Sequence, residues 1–172
     1  MRSEPAVSQV MPLNAALKYN PHLWEPDELR AIFAVRQKEL EELVDALHEA
    51  SPDHVPQHLL IAGHRGMGKT TLLRRLALSI ADTPELTANW LPLTFPEEQY
   101  TVRTLAEFWF NVLDALADAL AREGASPVEL MALDAQIRQL TELVPAEREA
   151  AALDVMTGWI DKHHRGLVLA HR

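Results

Sequence analysis

Leu59-Leu60-Ile61-Ala62-Gly63-His64-Arg65-Gly66-Met67-Gly68-Lys69-Thr70-Thr71 is the stretch on which the reading of this chain turns. Its apolar start runs straight into a glycine, as in a strand buried on both faces of a parallel sheet. Residues 63–70 then fit the pattern G-x-x-x-x-G-K-[ST] in full. Gly63, Gly66 and Gly68 open backbone conformations closed to other residues, so that successive N–H groups turn inward as an anion nest. From Thr70 to about Ile80, Leu72, Leu73, Leu76 and Leu78 predict a helix, and its N-terminal partial charge adds to the nest. Lys69 supplies a point charge for β- and γ-phosphates, and the Thr70 hydroxyl is placed for a phosphate-bound Mg²⁺. His64, Arg65, Met67 and Thr71 complete the candidate phosphate-binding set. A strand before the loop and a helix after it are the context this motif, the P-loop, requires.

Upstream, Pro5, Pro12, Pro21 and Pro26 punctuate an irregular arm over residues 1–25. Tyr19, Leu23 and Trp24 are too apolar for a free tail, so that end of the arm is expected to lie against the domain. Glu25-Pro26-Asp27-Glu28 opens a helix. Leu40, Leu43, Val44 and Leu47 then form one stripe, which Ser51-Pro52-Asp53 ends.

Downstream, Trp90 to Phe95 predicts a second strand, which Pro92 confines to a sheet edge or a bulge. Helical spacing holds from Thr101 to Arg122 through Val102, Leu105, Trp109, Val112, Leu113, Leu116 and Leu120. Ser126-Pro127-Val128-Glu129 reads as a capping box opening a helix striped by Leu130, Leu133, Ile137 and Leu140. Pro145 opens another, carrying Leu153, Met156, Trp159 and Ile160; Gly166 breaks it, and Leu167 to Ala170 is again a buried-strand run. The fold class is α/β: a partial P-loop NTPase with a parallel sheet and flanking helices, spanning 26–172 and helix-rich at about 101–164.

The chain has 172 residues, no cysteine and a formal net charge of −9. The missing thiols exclude disulfides, thiol catalysis and cysteine-based metal sites. An acidic chain is a poor general binder of phosphate backbone, which argues against direct nucleic-acid contact. No apolar run approaches the roughly 18 residues of a membrane span, and the first residues lack a signal-peptide core, so a cytoplasmic location is expected. Asp53, His54 and His58 do not make a metal site, because Pro56 breaks their geometry. They read as exposed loop residues, and His163-His164 as solvated. Arg74 and Arg75 read as solvated helix surface. Phe108, Trp109 and Phe110 read as helix packing rather than a base-stacking platform. Glu97, Glu98, Asp114 and Asp118 read as solvated acids, and none is assigned as a catalytic base.

Phe33-Ala34-Val35-Arg36-Gln37-Lys38-Glu39-Leu40 resembles the F-V-G-R-x-x-E-L box that precedes the P-loop strand in the AAA+ and STAND group of ATPases. Phe33, Arg36, Glu39 and Leu40 match, and Val35 stands where that group has glycine. With the P-loop, the resemblance covers about 30–75. It implies an ATP- and Mg²⁺-binding ATPase domain whose hydrolysis drives conformational change or assembly. It also implies that Phe33, Val35 and Arg36 lie beside the adenine, and that protein partners or self-association accompany the nucleotide.

The family ends a second buried strand, the Walker B position, in an acid that holds Mg²⁺ and polarises water. Here Leu167–Ala170 is followed by His171 and Arg172. In the AAA+ layout a later strand separates the P-loop strand from this one. A sheet of Leu59–Ala62, Trp90–Phe95 and Leu167–Ala170 therefore has to leave a gap, rearrange or borrow a strand. The chain thus reads as truncated after the Walker B-position strand, or frame-shifted there, since Ala170-His171-Arg172 has codons that encode Leu-Ile-Asp/Glu one base later. ATP binding with poor hydrolysis is expected. The alternatives are a non-hydrolysing regulatory module, a P-loop kinase, or an ATPase working with DNA.

Overall fold

Two strands, β1 (Trp90–Thr94) and β2 (Gly166–Ala170), pair in parallel at the centre of the fold. The register runs unbroken from Trp90 opposite Gly166 to Thr94 opposite Ala170. The protein is seen here as a computed structural model, which describes residues 24–50, 59, 61–64, 66–95 and 102–170. The expectations for Tyr19, Leu23, Asp53, His54, Pro56, His58, Arg65, Glu97, Glu98, Thr101, His171 and Arg172 lie outside the described residues.

Before the P-loop come α1 (Pro26–Ile32) and α2 (Gln37–Glu49); after it come α3 (Lys69–Asp82) and the short α4 (Pro84–Asn89). Between the strands lie α5 (Leu105–Glu123), α6 (Pro127–Glu142) and α7 (Pro145–His163). The period-2 alternation of the strands divides the core. Leu91 and Leu93 join Val112, Leu113, Leu116 and Trp159 on the α5–α7 side. On the other side Trp90 and Val168 meet Leu40, Leu72, Leu76, Ile80 and Leu86 from α2, α3 and α4. The sheet is thus sandwiched between two helical layers, as an α/β domain requires.

Among the described residues β1 has a hydrogen-bonded neighbour on one side only, so Pro92 is accommodated as an edge residue without a bulge. The Leu59–Ala62 run departs from expectation. Its described residues Leu59, Ile61 and Ala62 belong to no strand. β2 takes β1 as its partner, and among the described residues no strand lies beside the run to complete a ladder. Ile61 still packs against the α2–α3 cluster, so burial without a ladder holds the approach to the loop.

Local chemistry sets the helix ends. Thr104 caps α5 with a capping box: its side chain accepts from the Glu107 amide at 3.2 Å, and Glu107 accepts from the Thr104 amide at 3.1 Å. Only half of the box expected at Ser126 forms. The Ser126 hydroxyl accepts from the Glu129 amide, but the Glu129 carboxylate turns toward His163 Nε2, 3.3 Å away. His163 is accordingly not a freely solvated residue; its ring stacks on Trp159 with centroids 4.6 Å apart. On α7 it is Ala152, not Leu153, that enters the core beside Met156 and Trp159. Leu105, expected on the α5 stripe, is exposed in that helix's first turn.

The sequence predicts that Gly166 breaks α7, but the helix ends at His163 with His164 as its left-handed cap, and Gly166 is the first residue of β2. A Cβ there would fall 2.3 Å from Cζ3 of Trp90, so the missing side chain is the space the indole occupies. The indole is fixed in turn by donating Nε1–H to the Leu47 carbonyl of α2 at 3.1 Å. Arg165 grips the same corner, with two bonds to the Glu123 carboxylate at 2.8 and 3.0 Å and one to the Trp90 carbonyl.

Candidate phosphate-binding site

Gly66 and Gly68 carry the left-handed turns that the loop sequence demands, at φ 85° and 76°. Nothing lies within 4 Å of a Cβ built at either, so the restriction is on the backbone rather than on space. Gly68 is the N-cap of α3, and its carbonyl accepts the first helical bond from Leu72 N–H. The Met67 amide closes the turn onto the His64 carbonyl at 3.3 Å.

Lys69 is bound back into its own loop. Its ammonium donates to the carbonyls of Gly63 at 2.7 Å and His64 at 3.0 Å. An ammonium has three N–H donors, and these two carbonyls engage two of them. Lys69, Thr70 and Thr71 form the first turn of α3, which contains no acidic side chain to compete for the free amides. The cradle is open to solvent: Gly63, His64, Gly66 and Met67 are exposed and Lys69 half-buried. Two clefts among the described residues lie elsewhere, one of about 490 Å³ between α2 and α3 and one of about 450 Å³ among α5, α6 and α7, and neither is lined by the loop. A phosphate site made of backbone amides on a helix end needs no deep cavity.

The upstream box meets the loop through one side chain. Arg36 is the N-cap of α2 in a left-handed conformation, φ 68°, so the turn forms at the arginine itself, with Val35 in the glycine position. Its Nη1 reaches the Met67 carbonyl at 3.4 Å, and its Nε donates to Glu39 Oε1 at 3.0 Å. The Glu39 carboxyl is held below its ordinary pKa by its own backbone amide first and by Arg36 second. Val35 is exposed. Phe33 is 9% exposed and belongs to the cluster containing Leu72 and Leu76, so it anchors the box on α3.

This pairing of a built phosphate loop with an upstream box that touches it has a counterpart in sequence comparison. A family model described as AAA ATPase domain matches residues 32–170. The chain belongs to the AAA ATPase domain family. The match includes the whole Phe33–Leu40 box, the P-loop and both strands. No curated protein and no solved structure matches the chain.

Within this AAA ATPase domain, the arginines near the loop have intramolecular duties. Arg74 donates to the Trp24 carbonyl at 3.1 Å, tying the described end of the arm to α3, and burial lowers its pKa. Arg75 donates to Ser79 Oγ at 3.0 Å and lies 3.9 Å from Asp82. Both are partly buried rather than solvated. Among the described residues no group of three or more His, Asp or Glu is arranged to hold a metal ion on its own. The Arg36-to-loop contact had no signal in the spacing of the sequence, because the partner is a backbone carbonyl 31 positions away. No helix among the described residues is long and apolar enough to cross a membrane.

Proposed function

We propose that this AAA ATPase domain binds Mg–ATP on the Gly63–Thr70 loop and uses it as a conformational or assembly signal in the cytoplasm. The observation that carries the reading is the seating of Lys69 at the head of α3, with its ammonium held by the Gly63 and His64 carbonyls. Residues 63–71 would hold the phosphates, Lys69 would meet the β- and γ-phosphates, and the Thr70 hydroxyl would meet Mg²⁺. Mg²⁺ would neutralise phosphate charge when bound. The adenine end is proposed to lie at the Val35–Arg36 turn, with Phe33 as its buried footing. Residues from about 26 onward would work as one nucleotide-binding unit, the 101–164 helices forming its outer layer.

Turnover by this polypeptide is proposed to be slow. His171 and Arg172 follow β2, so the carboxylate that the resemblance expects there is replaced by a histidine. That feature favours a second reading, a nucleotide-dependent regulatory module that binds without turning over.

Replacing Lys69 by alanine tests the binding reading. The loss of a charge-assisted contact is expected to lower Mg–ATP affinity about tenfold to more than a hundredfold in titration calorimetry. Unchanged affinity in Lys69→Ala would overturn it.

A further inference from the structure

Met67 makes an unusual set of contacts for an exposed methionine in a loop. Its amide donates to the His64 carbonyl at 3.3 Å, and its carbonyl accepts from Arg36 Nη1 at 3.4 Å. Its thioether sulfur accepts the His64 amide proton at 3.2 Å. The sulfur also lies over Gly63, 3.4 Å from where a Cβ would stand there. The side chain therefore closes a small ring with His64 at the base of the loop, while the residue as a whole remains 55% exposed. His64 is also one of the two residues whose carbonyls seat the Lys69 ammonium. A change at the Met67 sulfur is thus one peptide unit from the charge that the phosphate has to meet.

We propose that Met67 is a peroxide-sensitive modification site, and that its conversion to the sulfoxide weakens nucleotide binding to the loop. This inference rests on the nucleotide-binding reading given above. In the reaction a peroxide oxygen is transferred to the thioether: an S–O bond forms, the O–O bond breaks, sulfur loses two electrons and the peroxide leaves as water or an alcohol. The product is a polar, chiral group in place of a flexible apolar one. Its oxygen is a stronger acceptor than the thioether and stands one bond further out. To keep the His64 amide bonded through that oxygen, the side chain has to move away from Gly63. The movement pulls on the Met67 amide and carbonyl, hence on both the loop turn and its link to Arg36. That disturbance of the turn opposes phosphate binding. A dithiol-driven sulfoxide reductase reverses the change by removing the oxygen as water.

The test uses the full 172-residue chain, hydrogen peroxide as the oxidant, and calorimetric titration with Mg–ATP. Peptide mass spectrometry follows oxygen addition at each methionine. Loss of one hydrogen bond and disturbance of the loop are expected to weaken binding by roughly tenfold. Treatment with methionine sulfoxide reductase should restore the affinity. Met67→Leu, whatever its own affinity, should no longer respond to peroxide, whereas a variant at the exposed Met131 should respond as the parent chain does. Met67 should also oxidise more slowly when Mg–ATP is bound. Full sulfoxide formation at Met67 with unchanged affinity overturns the inference but leaves the nucleotide reading standing. An untreated chain with no Lys69-dependent binding overturns both.

Discussion

Gly166→Ala probes the joint between the two helical layers. The new Cβ would stand 2.3 Å from Cζ3, 2.7 Å from Cε3 and 3.3 Å from Cη2 of Trp90. Carbon atoms do not approach so closely, so the indole or the strand has to move by about an ångström or more. The indole is not free to swing away, because its Nε1–H is bonded to the Leu47 carbonyl and it packs against the α2–α3 cluster. Overpacking of this kind costs about 1–3 kcal/mol, and losing the indole hydrogen bond adds about 0.5–1.5 kcal/mol. Gly166 does not have a left-handed backbone, so alanine also reduces unfolded-state entropy, which offsets about 0.4–1 kcal/mol. The net destabilisation is about 0.5–4 kcal/mol, equivalent to roughly 2–4 °C in Tm per kcal/mol for a domain of this size. Thermal unfolding followed by circular dichroism measures it. A matching Trp90→Leu background supplies the control: with the ring removed, the same glycine substitution should cost little. An unchanged Tm for Gly166→Ala, or an equal loss in both backgrounds, would refute the claim that the glycine exists to seat the indole.

Thr104→Ala removes the N-cap acceptor of α5 and is expected to cost about 1 kcal/mol, read from the denaturation midpoint, with Thr104→Ser retaining most of the stability. Asp114 lies on the exposed side of α5, where partial desolvation of its carboxyl by the neighbouring side chains raises the pKa first, and the charges of Asp118 and Asp134 raise it further. The unfolded chain therefore ionises this group at lower pH than the folded one, and stability falls as pH rises through that window. Asp114→Asn should accordingly raise Tm at about pH 7 and leave it unchanged at about pH 3, below the ordinary carboxylate range. A rise of equal size at both pH values would show that charge is not the cause. Phosphate release by the purified chain should stay far below about one turnover per second, a typical lower bound for an active enzyme. Faster release that disappears in Lys69→Ala would mean that an acid elsewhere polarises the water.

The candidate site is largely legible in the amino-acid sequence, because its determinants are local. A glycine-rich loop followed by lysine, threonine and a leucine-striped segment specifies a turn, a helix start and an anion nest within a dozen or so residues. The left-handed Gly66 and Gly68 and the start of α3 at Lys69 follow from that stretch alone. The same holds for the edge character of β1, which Pro92 announces, and for the helical stripes that bury Leu40, Leu72, Leu116 and Leu133.

Tertiary structure decided what no local pattern encodes. The sequence marks three apolar runs as strands but does not say which of them pair. The structure joins Trp90–Thr94 to Gly166–Ala170 and leaves the described residues of 59–62 without a ladder, because a strand needs a partner edge as well as apolar side chains. Glu129 fits a capping box by spacing, yet it faces His163, which α7 brings within 3.3 Å. Arg36 lies in a family box, but its reach to the Met67 carbonyl depends on how α1 and α2 sit on α3. Gly166 reads along the chain as a helix breaker; across the sheet it is the space that Trp90 fills. Periodicity and capping act over three or four residues, so sequence alone determined the cradle and its helix. Strand pairing and side-chain clearance act between residues tens of positions apart, so the folded chain alone decided the pairing of the sheet and the link from the upstream box to the loop.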